Sequence, residues 1–241
     1  MTDRGRGALR QTPDCLTVGP SSMRWSDGRL VIDVDEIGAP PLISRVRGRI
    51  TLTPTAITGV ELPLTDDGAH VWRPFAPTCT IDVALEAPGW QWQGHGYFDA
   101  NFGTRALEQD FSGWSWGRFP TRGGSTCFYD AERRDGTRLA LGYRFARSGE
   151  AQAITPPPPA TLPRSLWAMK RETRADAGHV PRQVKPMLDA PFYCRSAIRT
   201  WIDGEETTGV HEALNLRRFR SPLIKPMLAV RVPRRARWTF D

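Results

Sequence analysis

The sequence predicts an all-β, antiparallel protein folded as a barrel or sandwich with few short helices. Three observations carry this expectation. The chain of 241 residues holds 22 glycines and 21 prolines, a supply of turn-formers that leaves little room for long helices. Apolar and polar residues alternate at period two over several short stretches, as in strands with one buried and one wet face. Two Asp-Gly pairs, Asp27-Gly28 and Asp135-Gly136, stand between such stretches, and this dipeptide is a strong hairpin signal.

Taken in order, Ser22 to Trp25 and Arg29 to Val34 flank Asp27-Gly28 as a first hairpin. Ser44 to Thr53 reads as a strand, with Val46, Ile50 and Leu52 set among Arg45, Arg47 and Arg49. In Thr80 to Glu86, Ile81, Val83 and Leu85 alternate with Asp82, Ala84 and Glu86, and Trp90 to Gln93 alternates in the same way. Thr126 to Ala131 and Arg138 to Phe145 form a second hairpin about Asp135-Gly136. The run Pro156 to Pro159 is a stiff extended connector. Beyond it, Ser165 to Thr173, Tyr193 to Ile202 and Val210 to Leu216 read as further strands. A helical reading survives only near Ala106 to Phe111 and Ala213 to Arg218. Residues 1–150 form a β-rich portion, and residues 151–241 a C-terminal β segment that completes the barrel and ends in a basic tail.

Cys15, Cys79, Cys127 and Cys194 match no zinc spacing and form no CxxC pair. They read as free thiols of a reducing compartment. The N-terminus has no apolar segment of signal-peptide type, and no apolar run is long enough to span a membrane as a helix. The net charge of +7 lies wholly between Arg217 and Asp241. There Arg217, Arg218, Arg220, Lys225, Arg231, Arg234, Arg235 and Arg237 are interleaved with Leu223, Ile224, Met227, Leu228, Val230, Val232 and Trp238. A basic and apolar mixture suits a peripheral contact with an anionic membrane surface; a solvated edge strand guarded by arginines is the plainer reading. Charge confined to one end, with no recognised module, argues against nucleic acid as a partner.

The most informative stretch runs from Gly94 to Phe119, GHGYFDANFGTRALEQDFSGWSWGRF. It combines glycines, which permit close backbone approach, with ionisable and aromatic side chains. A carboxyl desolvated among aromatic rings is held protonated toward neutral pH. Such an acid can protonate an alkene, and ring faces stabilise the cation that results. Read by itself, Asp99 could equally cap a turn, Trp72 and Tyr97 could be core aromatics, and His70, after Asp66-Asp67-Gly68, could lie at the surface. Trp114 and Trp116 share one strand face by their spacing and read as wall or core. Glu108 and Asp110 read as solvated loop acids, and His211-Glu212 resembles a metal or acid–base pair only superficially.

GHGYFDANFG followed by LEQDFSGWSWGRF closely resembles the central motif of the carotenoid 1,2-hydratase (hydroxyneurosporene synthase) family. Ala69-His70-Val71-Trp72-Arg73-Pro74 resembles that family's His-x-Trp segment. Leu162-Pro163-Arg164 with Trp167, Gly209 to Leu214, Arg218-Phe219, Lys225 to Leu228 and Arg231 to Arg234 resemble its C-terminal part. The resemblance covers nearly the whole chain. It implies a lipocalin-like β fold and cofactor-independent hydration of the carbon 1–carbon 2 double bond of acyclic carotenoids such as neurosporene and lycopene. By motif position, Asp99 is the implied acid. Trp72 and Tyr97 are implied to stabilise the tertiary cation, and His70 to orient Asp99 or to help deprotonate water. Trp114, Trp116 and Phe98 are the implied substrate-binding residues; Phe98 stands where many relatives carry an imidazole. The implied setting is peripheral, on the cytoplasmic face of the membrane, with other carotenoid-pathway enzymes as further partners. The family also implies a lipocalin-like domain ahead of the matched segment, and so an in-frame extension upstream of Met1. A non-catalytic carotenoid- or lipid-binding protein on the same framework is the alternative.

Overall fold

A computed structural model of the chain describes residues 4–38 and 43–224. The first sheet contains β1 (Leu9–Gln11), β2 (Cys15–Val18), β3 (Ser21–Ser26), β4 (Arg29–Ile37), β5 (Arg45–Pro54), β6 (Leu62–Pro63), β7 (His70–Ala87) and β8 (Trp90–Gly103). Its order is β1-β2-β3-β4-β5-β7-β6, with β8 paired to β7. A single helical turn, α1 (Leu107–Asp110), leads into β9 (Phe111–Thr121), β10 (Gly124–Arg133), β11 (Arg138–Ala146) and β12 (Ala151–Ile154). A separate two-stranded ladder, β13 (Pro159–Leu162) and β14 (Arg171–Arg174), precedes β15 (Arg182–Asp189), β16 (Tyr193–Ile202), β17 (Glu205–Asn215) and the closing turn α2 (Leu216–Phe219). The second large sheet runs β12-β11-β10-β9-β17-β16-β15. Every registered ladder is antiparallel.

The all-β, antiparallel expectation with few short helices is therefore what the chain adopts, and its barrel alternative is corrected. Neither large sheet closes among the described residues: in the second, the end strands β12 and β15 pair only with β11 and β16. Proline, with no N–H to extend a ladder, suits the edge strand β15, which contains Pro186 beside a register shift; β12 ends two residues before the run Pro156–Pro159.

The chain forms two compact units. Among the described residues, one comprises the segments up to Thr55 and Cys79–Tyr97, the other Ala56–Thr78 and Phe98–Ile224. No division falls at residue 150, since β12 pairs with β11 across it. Both β7 and β8 contribute to each unit. β7 begins ten residues before the predicted strand, and it accommodates Pro74 and Pro77 because its ladder with β5 ends at Cys79 and that with β6 covers only Val71 and Trp72. The prolines thus fall on a stretch of edge. Its buried side switches along the way: His70, Trp72, Pro74 and Ala76 are buried, then Pro77, Cys79, Val83 and Leu85.

Within the second unit the arrangement is layered. Phe119, Phe128, Leu162, Ile198 and Ile202 form a core between the seven-stranded sheet and the β13–β14 ladder. On the other face of that sheet lies the first part of β7, where the Pro77 carbonyl accepts from Arg118 Nε and Ser125 Oγ. The predicted strand from Ser165 to Thr173 is shortened to β14. The Ser165 hydroxyl accepts from the Trp167 and Met169 backbone N–H groups instead, a local competitor to sheet pairing.

The Phe119 ring lies over two glycines. A Cβ added at Gly209 would stand 2.2 Å from the Arg118 carbonyl oxygen and 2.5 Å from Phe119 Cδ1. Backbone on one side and a fully buried ring on the other leave nowhere to move. Gly209→Ala is expected to cost about 1–3 kcal/mol by overpacking, measured as a lowered urea midpoint at unchanged m-value; an unchanged midpoint would contradict this packing.

Candidate active site on the aromatic face of the second unit

Antiparallel register decides which side chains meet here. Trp116 stands opposite Tyr129 on β10 and Glu212 on β17, Arg118 opposite Cys127 and Val210, and Trp114 opposite Ala131 and Leu214. Arg195 on β16 faces Glu212, and Tyr193 faces Leu214. Alternation then puts Trp114, Trp116, Tyr129, Tyr193, Arg195 and Glu212 on one face. The ring centroids of Trp114 lie 5.8 Å from Tyr129 and 6.5 Å from Tyr193.

Onto this face β7 and β8 bring Trp72 and Asp99. Trp72 is fully buried, and its ring lies 5.6 Å from that of Tyr129. Its indole N–H donates to Asp99 Oδ2 at 2.8 Å. Asp99 acts electrostatically on two neighbours. The Tyr129 phenol is raised well above its ordinary range by burial, then by Asp99 and Glu212. The Cys127 thiol is pushed up to about 12, chiefly by burial, with Arg118 opposing and Asp99 adding to the rise. Both therefore stay neutral at physiological pH.

Of the residues singled out in the sequence, the structure brings Asp99, Trp72, Trp114 and Trp116 together around Tyr129. Tyr97 is half-buried on β8, two residues before Asp99, and falls in the first unit. His70 is buried and is not a surface residue. Its Nε2 lies 2.7 Å from Asp110 Oδ2, and its ring packs edge-on against Phe111 at 5.3 Å. Asp110 is in turn held by the Arg105 guanidinium, which lowers its carboxyl below the usual range, with help from His70. Asp110 is thus ion-paired with Arg105 and hydrogen-bonded to His70, not a solvated loop acid. Phe98 stacks on Phe75 at 5.4 Å, and Arg73 caps that ring at 4.9 Å. Alternation along β7 and β8 sets this group on the strand face opposite Trp72 and Asp99.

Sequence reasoning missed Tyr129, Tyr193 and Arg195, which reach the site only through register. The pair His211-Glu212 is separated by the sheet itself. Glu212 faces the aromatic side, while His211 Nε2 lies 2.8 Å from the Glu172 carbonyl oxygen of β14. A carbonyl can only accept, so Nε2 carries the proton and buried Nδ1 is bare. Burial lowers this histidine to about 4, against the Glu172 bond and with Arg171. Its folded pKa lies below the unfolded value of 6.5, so the unfolded chain takes up a proton first as pH falls. Stability is full above about pH 6.5 and drops toward pH 4, by about 3 kcal/mol from this group. Urea midpoints at pH 7.5 and 4.5 should fall more steeply for the wild type than for His211→Gln; parallel slopes would contradict a buried neutral imidazole.

Two further features involve other residues. An open groove of about 730 Å3 in the first unit is lined by Asp33, Asp35, Arg47, Arg49 and Glu86 beside Trp90. Its carboxylates are paired by Arg49, Arg45 and Arg47, a poor match for a hydrocarbon. In the basic C-terminal stretch, Arg217 donates to Glu132, and Arg218 to the Trp167 and Pro191 carbonyls. Lys225 and the basic residues after it lie outside the described residues.

The full chain is 62% identical to the acyclic carotenoid 1,2-hydratase of Cereibacter sphaeroides, covering 86% of that protein. It is 58% identical over 99% of its length to the enzyme of that name from Rhodobacter capsulatus, covering 85% of it. The Thiocapsa roseopersicina protein of the same name is 47% identical over 97% of this chain, which covers 58% of that relative. Among solved structures, one described as the crystal structure of CghA with Sch210972 matches with a TM-score of 0.49 at 11% identity, over 85% of this chain and 68% of that one. The full-length relatives set the chain among the hydro-lyases, enzymes that add water to a double bond or remove it. More narrowly, the chain belongs to the carotenoid hydratase CrtC family, whose sequence model matches residues 1–241.

Proposed function

We propose that this chain adds water across the carbon 1–carbon 2 double bond of an acyclic carotenoid, with Asp99 as the acid. The observation that carries the reading is the Asp99 carboxyl held by the buried Trp72 indole N–H over the aromatic face. With Oδ2 occupied as an acceptor, the neutral acid carries its proton on Oδ1. That proton goes to carbon 2, and the alkene electron pair leaves a tertiary cation at carbon 1. The faces of Trp72, Tyr129 and Trp114 supply the negative quadrupole that stabilises such a cation. As Asp99 becomes a carboxylate, the indole hydrogen bond becomes charge-assisted and roughly twice as strong. That gain appears only once charge develops, which is the condition for lowering the barrier. Water then adds at the more substituted carbon and gives a tertiary alcohol. A proton and a water balance the reaction, so no step calls on a cofactor.

Such a substrate resides in lipid, so the setting we infer is a peripheral one at the membrane. Neurosporene or lycopene in detergent micelles, incubated with the full chain and resolved by chromatography, should yield a more polar product heavier by one water. Carotenoid bound but recovered unchanged would overturn the reading in favour of a carrier.

A further inference from the structure

We propose that Glu212 is a second catalytic carboxylate, the base that takes a proton from the attacking water; this rests on the hydration reading above. Hydration needs two proton transfers at different atoms. An acid must protonate carbon 2, and a base must relieve the oxygen that bonds to carbon 1. One carboxyl beside carbon 2 serves the first; the second calls for another acceptor on the same wall.

The aromatic face carries such a group. Glu212 stands opposite Trp116, which stands opposite Tyr129. Trp72 links Asp99 to the same ring: it packs on Tyr129 at 5.6 Å and its indole N–H holds Asp99, so both carboxyls belong to the face centred on this phenol. Glu212 is largely buried, with 12% of its side chain exposed, where an idle carboxylate would be costly. It is not idle: Arg195 Nε donates to its Oε1 at 2.7 Å, and Tyr193 lies on the same face, two residues from Arg195 along β16. Arg195 balances the charge while leaving Glu212 an acceptor. Trp114, packed against Tyr193, has a buried indole N–H with no acceptor among the described residues. That N–H is a donor suited to hold an oxygen beside the Glu212 acceptor. His211, next in sequence, takes no part, because it lies on the opposite face of the sheet.

The protons balance. Asp99 gives one to carbon 2, water oxygen bonds to carbon 1, and Glu212 takes one proton from that water. Asp99 ends as a carboxylate and Glu212 as an acid. Exchange with bulk water then takes the proton from Glu212 and restores one to Asp99 for the next turnover.

The test separates the two transfers. The wild-type chain, Asp99→Asn and Glu212→Gln are incubated with lycopene micelles in D2O. Hydrated product is quantified, and recovered lycopene is examined for deuterium by mass spectrometry. A cation that is formed but not captured loses a proton and returns to alkene, carrying label. Glu212→Gln should lower product formation about 100-fold or more, the usual scale of general-base catalysis, while recovered lycopene still gains deuterium. Asp99→Asn should lower both together, about 1,000-fold. For Glu212→Ala, added formate should restore part of the rate at unchanged KM, which a merely structural role would not allow. Product and exchange falling together in Glu212→Gln, or neither changing, would overturn the assignment. A wild type that neither hydrates nor exchanges would overturn the hydration reading itself, and this proposal with it.

Discussion

Replacing Asp99 by Asn is expected to lower the rate of carotenoid hydration about 1,000-fold, within the range that a positioned general acid supplies. The substitution removes little else. Asn has nearly the shape of Asp, and its carbonyl oxygen can still accept from the Trp72 indole N–H, at present 2.8 Å from Asp99 Oδ2. What is lost is an O–H acidic enough to protonate an alkene, since an amide N–H cannot serve. The loss should therefore appear in kcat, with KM and the thermal midpoint little changed. Glu in place of Asp retains the acid but moves its oxygens one methylene farther. It should fall between wild type and Asn. Single-turnover assays at saturating carotenoid, read beside carotenoid binding by absorbance, make the check. Equal rates for wild type and Asp99→Asn would remove Asp99 from the chemistry, whatever its geometry.

Local signals in the sequence were legible where short-range chemistry decides the structure. Asp27-Gly28 is a hairpin because both residues adopt positive φ, 52° and 70°, as the tight two-residue turn requires. The same turn recurs at Asp203-Gly204, with φ of 56° and 76°, and joins β16 to β17. It passed unread because Glu205, Glu206 and Gly209 interrupt the apolar alternation that would mark a strand. The turn imposes that pairing, Ile202 against Glu205, without help from hydrophobic pattern. The site was legible in a similarly partial way. Asp99 and Trp72 are named by motif, and the structure joins them. Their neighbours Tyr129, Tyr193 and Glu212 come from β10, β16 and β17, and only ladder register, a non-local property, sets them beside Trp114 and Trp116. Adjacent residues mislead for the same reason: His211 and Glu212 read as a pair, yet neighbouring positions in a strand point to opposite faces. His70 shows the converse. Its acidic turn suggested exposure, but Asp110, from a later segment and itself held by Arg105, takes up its Nε2.

Trp72 should separate the structural from the chemical contribution of the site. Its indole is fully buried and packs on Tyr129, so Trp72→Ala is expected to cost about 3–5 kcal/mol of stability through lost burial and a cavity. Such a loss would reduce activity without saying why. Trp72→Phe is the informative change. It keeps an aromatic face toward Tyr129 and toward a carbon 1 cation but removes the N–H that Asp99 Oδ2 accepts. A hydrogen bond to a charged group contributes about 1.5–3 kcal/mol. If that bond matters most when Asp99 has given up its proton, kcat should fall about 10- to 100-fold with KM little moved. Deuterium exchange into recovered substrate should fall by the same factor, because the affected step is proton transfer and not water capture. A Trp72→Phe protein with wild-type kcat and exchange would show that the ring alone matters. The 2.8 Å bond would then be a packing detail, and the barrier would be lowered by the aromatic faces without help from the donor.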